Sequence, residues 1–184
     1  MAAVSRVSSS SAWLAIRSLF WTIALPGLFA GYLPWRFFGL SQVRRESIGA
    51  AQIPALACIG AGAVLLAMCI FEFARTGRGT LSPLDPPREL VVRGLYRYVR
   101  NPMYLSVTTI VLGEAMLTRS SALTVYGALW FVFVNVFVIG YEEPTLHEMF
   151  GRSYEDYTRR VGRWIPKRLS HQGATLTNTM EDSK

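Results

Sequence analysis

Apolar residues in this chain come in long runs, and short stretches rich in arginine, glycine and proline separate them. Four runs stand out: about Trp13 to Leu33, about Ala50 to Ala74, Pro102 to about Leu117, and about Ala122 to Tyr141. A helix of about 20 mostly apolar residues crosses the roughly 30 Å hydrocarbon layer of a bilayer. The pattern therefore predicts an all-α, polytopic membrane protein with about four transmembrane helices. The third run is short and carries Glu114, so with the fourth it predicts a tight helical hairpin turning around Thr118 to Ser121. Between the second and third runs, the segment from Thr76 to Asn101 holds Gly77, Gly79, Pro83, Pro86 and Pro87, which excludes one continuous helix. After the last run, Pro144 to Phe150 and Ser153 to Val161 read as short amphipathic helices parted by Gly151, with Ser153 and Asp156 at capping-box spacing. The organisation expected is a single domain over residues 1–168, its motif-bearing part at 88–166, and a polar, disordered tail at 169–184.

Composition changes this picture through charge. The 184 residues are 51% hydrophobic yet carry a net charge of +7. Apolar composition and basicity coexist when the apolar residues lie in lipid and the arginines sit at its edge. The aromatics fall mostly inside the apolar runs, which argues against nucleic acid as a partner. Arginines gather between Arg75 and Arg100 and again after Tyr141, which places both segments, and with them the N-terminus, on the cytoplasmic side. The first loop, with Arg36, Arg44 and Arg45, would then lie outside. The apolar run that begins at Trp13 is too long for a signal core and is read as the first span. Cys58 and Cys69 are eleven residues apart in one run. On a helix that is about 16 Å, so they cannot pair with each other. No metal-ligand spacing is present.

Two polar clusters lie at the cytoplasmic ends of spans. The first runs from Gly94 to Tyr104 and includes Tyr96, Arg97, Arg100, Asn101 and Pro102; the second is Tyr141-Glu142-Glu143-Pro144, followed by Phe150, Gly151, Tyr154, Tyr157, Val161, Trp164 and Pro166. Each residue has a structural reading: Asn101-Pro102 as a helix start, the arginines and tyrosines as interfacial anchors, and Glu142 and Glu143 as partners of the next helix dipole. Together they favour function. Two adjacent carboxylates at a membrane boundary are costly unless they pair with arginine or bind a cation.

The run Leu90-Val91-x-x-Gly94-Leu95-Tyr96-x-x-x-Arg100-Asn101-Pro102-x-Tyr104, with Glu142-Glu143 and Phe150-Gly151-x-x-Tyr154-x-x-Tyr157 after it, resembles the isoprenylcysteine carboxyl methyltransferase and phospholipid methyltransferase superfamily. The resemblance covers roughly Leu90 to Pro166. It implies a membrane enzyme that moves a methyl group from S-adenosylmethionine to a lipophilic or lipidated acceptor, a lipid carboxylate or a phospholipid amine, at the cytoplasmic face. By position it implies that Leu90, Val91, Tyr96, Asn101, Pro102, Met103, Tyr104 and Glu142 hold the cofactor, with Glu143 and Arg100 as catalytic candidates. The chain departs from the family in two places: Asn101 stands where Arg-His-Pro is usual, and Val136 to Gly140 lacks the arginine that carboxyl methyltransferases carry before the glutamate pair. Two other readings remain open: a sterol-reductase-like enzyme using NADPH, and a non-catalytic membrane scaffold.

Overall fold

A computed structural model describes residues 24–38, 50–76, 90 and 92–167. Helix α1 covers residues 24–37 and contains a π-helical stretch, Leu28–Tyr32. Helix α2 is Ile53–Thr76, α3 is Pro102–Thr118 and α4 is Ser121–Phe137. A π-helical turn, Val138–Glu142, carries α4 without a break into α5, Glu143–Phe150; α6, Arg152–Arg160, follows Gly151. Among the described residues there is no strand, and the extended pairing is an isolated parallel bridge between Val99 and Gly162. The N-terminal part of the expected first span, most of the loop after α2 and the tail lie outside the described residues.

The apolar side chains of α2 and α4 point outwards. On α2, Ile53, Val64 and Phe71 are about 60% exposed, and on α4 Leu129 and Val136 are about 65% exposed. Faces this apolar would be untenable in water, whereas lipid satisfies them. Two stretches, Ile53–Glu72 and Ser121–Phe150, are long and apolar enough to cross a membrane. The protein is thus an all-helical membrane protein, although four crossings are not established: α3 has 17 residues, about 26 Å at 1.5 Å per residue.

Helix α3 lies at the centre of the bundle. Val107, Val111 and Ala115 on it are buried with Leu123, Trp130 and Val134 of α4. It meets α2 through small residues. A Cβ on Gly62 would sit 2.7 Å from the Ile110 side chain, and one on Gly113 would sit 2.7 Å from that of Ile59. Close backbone approach of this kind gives dispersion contact where hydrophobic driving force is absent. The hydroxyls of Ser106, Thr108, Thr109 and Thr118 donate to carbonyls four residues back, so none is left unsatisfied in lipid. Glu114 is 7% exposed near the far end of α3.

The hairpin between α3 and α4 turns where the apolar pattern places it. Arg119 caps α3 in the left-handed region (φ 51°), and the Ser120 hydroxyl accepts the Leu123 N–H at 3.2 Å. Two local expectations are corrected. Asn101 precedes Pro102 at the start of α3, but its side chain makes no cap and reaches elsewhere. Ser153 lies inside the first turn of α6 behind Gly151, so the capping box does not form. Nor does the chain break before Pro144. Proline has no N–H to offer the carbonyl four residues back, and the wider π-helical turn at Val138–Glu142 accommodates that loss within one continuous helix.

Candidate functional site

The polar groups converge at one end of the bundle, where the segment before α3 meets the segment after α6. Gly94 starts a single 3-10 turn, Gly94–Arg97, with φ +54°, a conformation that side chains disfavour. A Cβ there would lie 2.8 Å from the Cγ of Glu72, so the turn rests directly on the end of α2. The turn points Tyr96 inwards, 9% exposed. Beyond it Val99 pairs with Gly162, and the Arg100 N–H donates to the Gly162 carbonyl at 2.8 Å. Gly162 has no room for a side chain against the Ile165 carbonyl.

This bridge holds the strap of residues 161–164 across the site. The Tyr157 O–H donates to the Tyr96 carbonyl at 2.8 Å, the Asn101 amide donates to the Arg163 carbonyl at 3.4 Å, and the Trp164 indole N–H donates to the Asn135 side-chain oxygen at 3.1 Å. Asn135, an intramembrane polar residue, thereby gains a partner.

The two neighbouring acids face different ways. The Glu143 carboxylate accepts from the Arg100 Nη1 at 2.7 Å and, with both oxygens, from the Arg163 Nε and Nη2 at 2.7 Å each. The three side chains are 19%, 13% and 31% exposed, so these charge-assisted bonds are only partly screened. The hydrogen bonds that Arg163 donates to Glu143 raise its pKa; burial opposes this, and the Glu143 charge adds to the rise. Glu142 turns instead to α3, where its Oε2 accepts the Tyr104 O–H at 3.0 Å. No cation among the described residues pairs with Glu142.

Burial pushes the phenols of Tyr96, Tyr154 and Tyr157 above the ordinary tyrosine value, and nearby negative groups add to the effect. They therefore remain neutral donors across the working pH range. On the Glu143 side an open pocket of about 480 Å³ is lined by Arg100, Ile139, Glu143, Pro144, His147, Tyr154, Thr158 and Arg163.

Of the residues named from the sequence, Tyr96, Tyr104 and Glu142 face one another, and Asn101 and Pro102 are buried beside them. Arg100 and Glu143 meet on the neighbouring face. Met103 is half-buried. Leu90 packs on Tyr154, Tyr157 and Val161. Val91 lies outside the described residues. Sequence reasoning passed over Arg163, which belongs to a basic run after the last apolar segment and reads there as a topology charge. The signal that could have found it is the surplus acid of the Glu142-Glu143 pair, which Arg100 alone leaves unmatched.

A family model described as phospholipid methyltransferase matches residues 51–153. Protein-S-isoprenylcysteine O-methyltransferase of Schizosaccharomyces pombe is 39% identical over 79 residues, which cover 42% of this chain and 33% of that protein. The match thus spans about a third of the length of that relative.

Proposed function

Since the chain belongs to the phospholipid methyltransferase family, we propose that it transfers a methyl group from S-adenosylmethionine to a lipophilic acceptor that reaches the site sideways from the bilayer. The observation that carries this reading is Glu142: a half-buried carboxylate at a membrane boundary, bonded to Tyr104 and paired with no described cation. Such a group is costly unless a cation comes to it. The methyl donor brings a sulfonium and an ammonium, and the carboxylate of Glu142 with the aromatic faces of Tyr96 and Tyr104 forms a suitable set for them. Asn101, Pro102 and Met103 complete the wall, and Leu90 would border it.

When bound, the donor supplies an electrophilic methyl group. The protein's part is to align donor and acceptor and to keep water out. The strap over residues 161–164 does the second, fixed by the Val99–Gly162 bridge and the Trp164–Asn135 hydrogen bond. Arg100 and Glu143 hold the acceptor side in shape. The matched relative's name supports an O-methyl transfer, and the arginines between Arg75 and Arg100 and after Tyr141 support a cytoplasmic site with a multi-pass chain.

Calorimetric titration of the full chain in detergent with S-adenosylmethionine, and separately with NADPH, tests the reading. The wild type is expected to bind the methyl donor, and Glu142→Gln to weaken it by roughly ten-fold, equivalent to about 1.4 kcal/mol. Binding of NADPH alone would replace this reading with a reductase, and binding of neither with a scaffold.

A further inference from the structure

Glu142 and Glu143 are consecutive, yet their carboxylates engage neighbouring faces: one towards Tyr104, the other towards Arg100 and Arg163. If the donor occupies the first face, the pocket on the second is the place for the acceptor's headgroup. We propose that this pocket selects an acceptor ending in a carboxylate, and that Arg163 is the residue that recognises it. The proposal rests on the methyltransferase reading and narrows its acceptor class.

Charge decides between acceptors. The pocket wall contains two guanidiniums and one carboxylate, so an entering headgroup meets a net positive surface. Both Glu143 oxygens are already engaged by arginine, so an ammonium would have to compete with two guanidiniums for them. Arg163, in contrast, can still reach a headgroup: it uses Nε and Nη2 on Glu143 while its side chain stays 31% exposed. The guanidinium fork suits a planar carboxylate.

Proton accounting points the same way. An amine acceptor must lose a proton before or during transfer, and the Glu143 carboxylate in the wall is already committed to three hydrogen bonds from arginine. His147, the other basic group in the wall, is half exposed and turns its Nε2 to Glu155 at 3.6 Å. A carboxylate needs no base: one of its oxygens forms the new C–O bond, the S–CH3 bond breaks and its electron pair stays on sulfur. The anion and the sulfonium both become neutral, and no proton moves.

The tail has a path as well. Ile139 lines the pocket, and below it Val136, Val132, Leu129 and Val125 form one outward stripe on α4, each about half exposed or more. A lipophilic chain bound by its headgroup at Arg163 would lie along this stripe with its end in the bilayer.

The test measures binding of N-acetyl-S-farnesylcysteine and of its carboxamide to the full chain in phosphatidylethanolamine-containing nanodiscs, without donor, and then methyl transfer to each and to the phosphatidylethanolamine itself. The wild type is expected to bind the carboxylate at least about ten-fold more tightly than the amide, the effect of one charge-assisted hydrogen bond. Arg163→Gln should erase that preference while donor affinity stays within about two-fold, and Arg163→Lys should keep part of it. Equal binding of acid and amide by the wild type, a preference untouched by Arg163→Gln, or methylation of the phosphatidylethanolamine amine with none on the carboxylate would overturn the proposal. Because the acid–amide comparison needs no donor, a chain that failed to bind S-adenosylmethionine would sink the methyltransferase reading without deciding this one.

Discussion

At the scale of single residues, Glu143 is the group on which the others depend. Its carboxylate is shared by Arg100 and Arg163, and its removal leaves two guanidiniums facing each other across a partly buried gap. Breaking a fully buried pair from one side costs roughly 3–5 kcal/mol. Since Arg163 is about a third exposed, Glu143→Gln is expected to cost nearer 2 kcal/mol, which a lowered melting temperature in nanodiscs would register. Partner tyrosines give a different signature. The folded state holds the protons of Tyr96, Tyr154 and Tyr157 more tightly than an unfolded chain does. From an unfolded value of about 10 upwards the unfolded chain releases them first, so stability falls as pH rises from there. Melting curves between pH 9 and 11 should show this decline, and Tyr154→Phe should blunt it.

At the scale of elements, much was legible and the limits have physical causes. The run from Ala50 to Ala74 became Ile53–Thr76 and the run from Ala122 became Ser121–Phe137, because a continuous apolar stretch leaves lipid-facing helix as its economical state. Asn101-Pro102 did mark the start of α3, though through the proline and not through a side-chain cap. The π-helical turn was not legible: Val138 to Glu142 carries no local signature. The Trp164–Asn135 bond joins residues 29 positions apart and is likewise invisible to local patterning. Trp164→Phe keeps the ring against Phe131 and removes only that bond, so a loss of about 1 kcal/mol in thermal stability is expected. Gly113→Val acts on the other side of α3. Its side chain meets both the Ile59 side chain and the Ala55 carbonyl; pushing α2 away should cost about 1–3 kcal/mol, seen as lower melting and weaker packing of α2 by cysteine cross-linking to α3.

At the scale of the whole molecule, the bundle divides its labour between an apolar girdle and one polar end. Charge counting put the residues before α3 and after α5 on one side, and they do meet at this end. Single cysteines at Leu129 or Val136 should resist a charged maleimide in intact membranes, whereas one at His147 should react. The strap of residues 161–164 lies beyond both apolar helices in chain order, although it supplies Arg163 to the ring of charge and Trp164 to the wall. During synthesis, both lipid-crossing segments can therefore be in place while Arg100 and Glu143 still wait for their third partner. Insertion and competence are separate events in the life of this chain, and a transcript cut short before Gly162 would yield a protein that reaches the membrane and stays silent there.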